Sequence, residues 1–470
     1  MKVLLVATNR ERSPYPVAPL GALCVAASAR NAGHDVKLLD LGLTRMPQRV
    51  LRKVLAEDDF QAIAFSIRNL DNCWFYSPRL YFDEVREFAE IVRKNFNGPL
   101  ILGGTGFSVS PQGWMRRLRP TCGVVGEGER AFSEVLNRLE AKRPLEGVDG
   151  VMTPGNGNGS VNFPPTRAIE PLAELTPPAH DLCSYAPYVR RGGFVGVQTK
   201  RGCPFKCAYC IYPQLEGKRY RLRPPEAVVD EIQTAAAHSR VREFFFVDSV
   251  FNHPHGHALA ICKELERRRL PVRWSAFCNP TDFDAELARA MKAAGCNGVE
   301  FGLDVASDKM LAALNKPFGQ QETRVALQAA RDAGLPFAVY LLFGGPGETW
   351  ADVEDTQNFL NDCPAANAVF ATIGIRVYEG TLMAKIAVEE GQVRPNQDLF
   401  EPAYYVSPHM AEDTENKLDR IARRRVEWTS AVDWRKFVVK LGQKISILFN
   451  VRPQWKAIRS YGEHMRPKPQ

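Results

Sequence analysis

The chain has 470 residues, 45% hydrophobic and 24% charged, which is enough for two to three domains and ordinary for a globular protein. No apolar run is long enough to cross a bilayer. The net charge of +8 is concentrated at the end: residues 431–470 hold nine Lys and Arg against two Asp and Glu, so the body is close to neutral and no nucleic-acid partner is expected. Met1–Ala7 lacks a small-residue cleavage site, and eleven cysteines without a secretory signal point to a reducing, cytoplasmic compartment.

Lys2–Ala7 is an apolar run suited to a buried parallel strand. A Pro-rich loop, Thr8–Pro19, leads into a helical pattern over Leu20–Ala32 that closes at Gly33. Further strands are expected at Val36–Leu41, Ala62–Ser66, Pro99–Leu102 and Gly123–Val125. Strands alternating with helices predict an open, doubly wound α/β domain over 1–150, of Rossmann or flavodoxin-like type. Ligands on such sheets bind at the carboxyl ends of the strands. Here those ends are Thr8–Pro19, Ser66–Asn72, Gly103–Pro111 and Gly126–Glu129.

Residues 151–190 are rich in Pro, Gly and Asn and read as a linker. Strands then follow at Phe194–Gln198, Glu243–Val247, Val272–Phe277, Gly298–Gly302, Phe337–Phe343 and Ala371–Val377. Helical stretches lie between them, near 225–237, 256–269, 284–294, 321–333 and 349–361. This alternation predicts a partial (β/α)6 TIM-type barrel over 191–400, with reactive groups at the C-terminal ends of its strands.

The first of those ends carries Cys203-Pro204-Phe205-Lys206-Cys207-Ala208-Tyr209-Cys210. Three thiolates on one short loop can hold three irons of a 4Fe–4S cluster and leave the fourth open to a small molecule. Ordinary core cysteines are the bland alternative, but Gly, Pro and Lys around them suit a loop. Structural zinc would want a fourth ligand close by, and none follows Cys210. Of the scattered cysteines, Cys278 is the candidate for a thiol near the site. Asn252-His253-Pro254-His255-Gly256-His257 starts a helix rather than binding metal, with Asn252 and Asp248 placed to touch a ligand.

The cysteine loop resembles that of the radical S-adenosylmethionine (SAM) superfamily, including the aromatic residue before the last Cys. Other stretches fit: Gly345-Pro346-Gly347-Glu348-Thr349, Gly302-Leu303-Asp304, and Gly374-Ile375-Arg376-Val377-Tyr378. The resemblance implies a 4Fe–4S cluster on Cys203, Cys207 and Cys210. It also implies SAM contacts from Tyr209, Asp248, Asp304, Gly345, Glu348 and Arg376, the last meeting the SAM carboxylate. The N-terminal domain resembles the cobalamin-binding domain of one large subgroup, through Pro19-Leu20-Gly21, Ser66-Ile67-Arg68-Asn69, Gly103-Gly104 and Gly126-Glu127-Gly128-Glu129. It implies that Ser66, Gly103, Gly104 and Glu127 border cobalamin. The loop from Thr8 to Gly21 contains no His to ligate cobalt. Either cobalt has no lower histidine ligand or the domain has lost its cofactor, and the ordered set of motifs favours the first.

Taken together, the resemblance implies a cobalamin-dependent radical SAM C-methyltransferase acting on a small molecule, a lipid or other secondary metabolite among the options. A flavodoxin- or ferredoxin-type partner would reduce it. The alternatives are a non-methylating cyclase, rearrangement or C–C bond-forming enzyme, and an iron–sulfur electron-transfer or sensing protein. Residues 401–470 are expected to form a basic helical region. Within it Trp434–Phe449 reads either as an amphipathic helix on an anionic membrane surface or as a helix packed on the barrel.

Overall fold

The computed structural model describes residues 1–155, 161–162, 168–423, 425, 427–430 and 451–459. Trp434–Phe449, the segment expected to be basic and amphipathic, lies outside them. No described helix is long and apolar enough to cross a membrane.

The N-terminal sheet is built from β1 (Lys2–Ala7), β2 (Asp35–Asp40), β3 (Ala62–Ser66), β4 (Leu100–Gly103) and β5 (Cys122–Val124), all parallel in the order β2-β1-β3-β4-β5. Alternation along β1 explains the double winding. Leu4 and Val6 face one helix layer, whereas Val3 and Leu5 face the other. Strand order reverses between β1 and β3, and the crevice at such a switch point is where ligands enter this kind of sheet. The sheet runs past residue 150. Strand β6 (Val151–Pro154) pairs antiparallel with β5, and β7 (Val161–Asn162) pairs with β6, so the expected linker begins as sheet edge.

The second domain is a curved parallel sheet of β8 (Val195–Val197), β11 (Glu243–Phe246), β12 (Arg273–Cys278), β13 (Cys296–Asp304), β14 (Phe337–Phe343) and β15 (Ala368–Ile373). Between β8 and β11 a small hairpin, β9 (Lys200–Arg201) and β10 (Arg221–Leu222), brackets the cysteine loop. The sixth barrel strand starts earlier than expected, at Ala368. Gly374, with φ of +88°, turns the chain, and β16 (Ile375–Arg376) pairs instead with β17 (Tyr404–Tyr405). A seventh parallel strand, β18 (Trp428–Ser430), joins beside β15.

Along these strands the residues alternate between two environments. Val195, Phe244, Trp274, Val299, Val339 and Val369 pack outward in the helix-facing core. The positions between them, including Phe245, Phe277, Glu300, Tyr340 and Phe370, face the barrel lumen. Trp455 closes the floor of that lumen, packing with Ala338, Ala368 and Phe370. Gly298 makes room for it: a Cβ there would lie 2.8 Å from Pro453 Cγ and 3.0 Å from Trp455.

Candidate active site between the two sheets

The carboxyl ends of the two sheets face each other across a cavity of about 310 Å³. The N-terminal domain contributes Ser66, Arg68, Gly103, Gly104 and the Gly126–Glu129 turn, and the barrel contributes Gln198, Arg201, Tyr212 and Leu215. Gly104 has φ of +96°, and a Cβ on it would press to 2.5 Å from the Ile67 carbonyl. On the same rim a Cβ on Gly21 would meet nothing within 4 Å and would project into open space. Gly21 thus leaves the rim open, and Gly104 lets its turn pack against the Ile67 backbone; the expected cobalamin positions Ser66, Gly103 and Gly104 all line the cavity.

The cysteine loop is held by its own backbone. Cys203 N–H donates to Gly217 O at 3.0 Å, Cys210 N–H to Cys207 O at 3.1 Å, and Ala208 N–H to Leu314 O at 2.9 Å. Gly202, with φ of +88°, starts the loop where a Cβ would strike Arg219 O at 2.1 Å. Burial raises the Cys207 thiol and pushes Cys210 up to about 12. Raised thiols must lose their protons on binding iron, so iron binding strengthens as pH rises. Three such sulfurs on one loop suit three irons.

Several expected ligand contacts prove to have other partners. Asp248 is buried. It accepts from Thr199 N–H at 2.7 Å and pairs with Lys200 at 3.1 Å, so it secures the stem of the cysteine loop. Asn252, also buried, bonds to Asn279 and Thr281. Arg376 uses all three nitrogens: Nε donates to Asp71 Oδ2 at 2.9 Å, Nη1 to the Val377 carbonyl, and Nη2 to Leu399 O at 2.9 Å. It ties the 68–81 loop of the first domain to the barrel, with three of its five N–H donors committed there. Glu348 turns back onto its own loop, accepting from Gly344 and Gly345 N–H at 2.6 and 2.8 Å. Its Oε1 is unpartnered and burial raises its pKa to about 7. Gly345 is buried against Met310 and Leu314. Cys278 is a core residue, and its thiol is held protonated by burial.

Tyr209 and Asp304 do come together. The Tyr209 hydroxyl donates to Asp304, which pairs with Lys316 at 2.7 Å. Lys316 also donates to Gly302 O at 3.2 Å. Asp304 has φ of +67°, an uncommon value for a non-glycine residue, at a bulge in β13. Nothing in the local sequence marked Lys316, whose partners lie on other elements.

Glu127, expected beside cobalamin, lines the cavity and is also half of a buried clamp between the domains. It pairs with Arg221 and lies 3.6 Å from Arg201, while the neighbouring Glu129 is bidentate with Arg201. Arg221 also donates to Ile169 O at 2.7 Å. Arg201 and Arg221 are paired residues of the β9–β10 hairpin. The rim of the first domain therefore grips the stem of the cysteine loop. Buried ion pairs set geometry more than they add net stability. Tyr15 was likewise not anticipated: it descends from the Pro-rich loop and packs edge-on against Phe194 at 5.3 Å.

Among known proteins, residues 8–136 match the B12 binding domain and residues 197–360 match the radical SAM superfamily. The chain is similar to an uncharacterized methyltransferase, PH0819, of Pyrococcus horikoshii, 30% identical over 403 residues and covering 83% of each chain. It is also similar to tryptophan 2-C-methyltransferase of Streptomyces laurentii, 25% identical over 441 residues, with 80% of this chain and 73% of that one covered. In fold it resembles TsrM of Kitasatospora setae, a radical SAM methyltransferase solved with cobalamin and a [4Fe–4S] cluster. The TM-score is 0.85 at 23% identity, and 99% of this chain and 98% of that one are covered.

Proposed function

The chain belongs to the radical SAM superfamily, its barrel preceded by a B12-binding domain, and on that premise we propose that it is a cobalamin-dependent C-methyltransferase acting on an unactivated carbon of a small molecule. The shared cavity carries this reading, because one wall is the carboxyl edge of the B12-type sheet and the other belongs to the barrel. Cys203, Cys207 and Cys210 would hold the cluster, with SAM beside the Tyr209 and Gly345 loops. Ser66, Gly103 and Gly104 would border cobalamin. Bound there, the cluster with SAM supplies a carbon-centred radical, and cobalamin supplies a transferable methyl group.

The protein's own residues do the remaining work. The ion-paired clamp fixes the two walls. The Asp304–Lys316–Tyr209 contact orients the cysteine loop, and the aromatic lumen excludes water from the reacting carbon. A flavodoxin- or ferredoxin-type reducing partner belongs to the same reading. So does a contact of the basic end of the chain with anionic membrane surfaces, supported by its charge. The deciding experiment is mass spectrometry of the corrinoid bound to reconstituted protein, together with assays for 5′-deoxyadenosine and methylcobalamin. Cys207→Ala is expected to lose cluster iron and SAM cleavage. Failure of the wild type to bind a corrinoid, or cleavage persisting in Cys207→Ala, refutes the proposal.

A further inference from the structure

Buried carboxylates around the cavity are matched by cations: Asp248 by Lys200, Asp304 by Lys316, Glu129 by Arg201, Asp71 by Arg376. Glu300 differs. It projects into the lumen from β13, is 2% exposed, and among the described residues has no ion pair. Its oxygens accept instead from two neutral groups, Tyr340 Oη at 2.7 Å and Trp455 Nε1 at 3.0 Å. Burial raises its pKa, with these two hydrogen bonds working against the rise. Ionised Glu300 is costly in this low-dielectric interior without a counter-ion, and a cation brought beside it by a ligand would offset that cost.

The surroundings specify the rest of that ligand. Above the Glu243–Arg273 pair at the strand starts, lumen-facing positions of β11 to β15 carry no Lys or Arg. Phe277 is 39% exposed even though it points inward, so its ring borders open space. It packs edge-on to Phe245 at 4.9 Å and Tyr340 at 6.2 Å, and Tyr340 stacks on Phe370 at 4.8 Å. Ser275 Oγ, fully buried on the same face of β12 as Phe277, has no hydrogen-bond partner. Ring faces attract cations, and Tyr340 donating to a carboxylate becomes a more electron-rich face.

We propose that the lumen takes a flat, apolar ring system bearing a cationic nitrogen, its ring against Phe277 and Tyr340 and its charge balanced by Glu300. This rests on the reading of the chain as an enzyme acting on a small molecule, and it disfavours phosphorylated or carboxylated reacting ends.

Three probes with one ring test it by calorimetry on the reconstituted holoenzyme: 2-naphthylethylamine, 2-naphthylethanol and 2-naphthylacetate. The amine is expected to bind about tenfold tighter than the alcohol, and the acetate weakest. Glu300→Gln, which keeps shape and hydrogen bonding, should erase the amine's advantage and leave the alcohol unchanged. Phe277→Ala should weaken the amine and the alcohol alike. Acetate binding as tightly as amine, an amine preference surviving Glu300→Gln, or no binding of any ring overturns the proposal. Methylcobalamin formation without probe reports separately on the reaction, so a failed methyltransferase reading and a failed ligand class are distinguishable.

Discussion

Glu129→Ala tests whether the two domains are locked at the cysteine-loop stem. The substitution leaves the Arg201 guanidinium, with its side chain 10% exposed, without its bidentate partner. Removing one member of a buried pair typically costs about 3–5 kcal/mol. Glu127, 3.6 Å from Arg201, offsets part of that loss, so about 3 kcal/mol is expected. Against a total stability of roughly 5–15 kcal/mol the urea midpoint should fall clearly. The double change Glu129→Leu with Arg201→Met removes both charges and should recover much of the loss. A looser clamp should also separate the two half-reactions: 5′-deoxyadenosine formed per methylated product should rise. The reasoning fails if Glu129→Ala costs under about 1 kcal/mol, if the double-mutant cycle shows no coupling, or if stability drops while the product ratio stays fixed.

Glu348 makes stability depend on pH. Its folded pKa, about 7, lies above its ordinary value of 4.5, so its stabilising contribution is full below about pH 4.5 and lost as pH rises through 7. The swing is roughly 3 kcal/mol, and Glu348→Gln, able to accept from the same two amides, should flatten thermal melts across that window. Gly298→Ala places a methyl 2.8 Å from Pro453 and should cost about 1–3 kcal/mol, with a shift in Trp455 fluorescence as it leaves Glu300. Gly104→Ala combines a φ of +96° with a 2.5 Å approach to Ile67 O, and should weaken corrinoid binding, measured by absorbance titration, more than it weakens assembly of the cluster.

Much of the fold was legible because its signals are local. Apolar runs such as Lys2–Ala7 and Phe337–Phe343 are buried strands with the expected bounds. The sixth barrel strand was misread because Ala371–Val377 reads as one strand-like run rich in Ile and Val, and the positive φ at Gly374 divides it. The three cysteines were legible for the same local reason. Charged residues were not: Asp248, Glu127 and Arg376 stand at strand ends where ligands gather, yet their partners lie 48, 94 and 305 residues away in the chain. A strand position says that a charge will be near a site, and only the folded neighbours say whether that charge is already matched. Glu300 fails in the opposite direction, since it sits inside an apolar strand and has only neutral donors for partners among the described residues.

The Trp455 floor has a consequence for synthesis. The central strands β8 to β15 leave the ribosome about eighty residues before Trp455, several seconds at ordinary elongation rates. Through that interval the barrel has its walls but no base, Ala338 and Ala368 face water, and Glu300 lacks one of its two donors. Until Trp455 arrives, the end of the lumen at Ala338 and Ala368 lacks its cover, and its docking closes that end. Released chains truncated before and after residue 455 should differ in protease resistance of the barrel even though every strand of its wall is present in both.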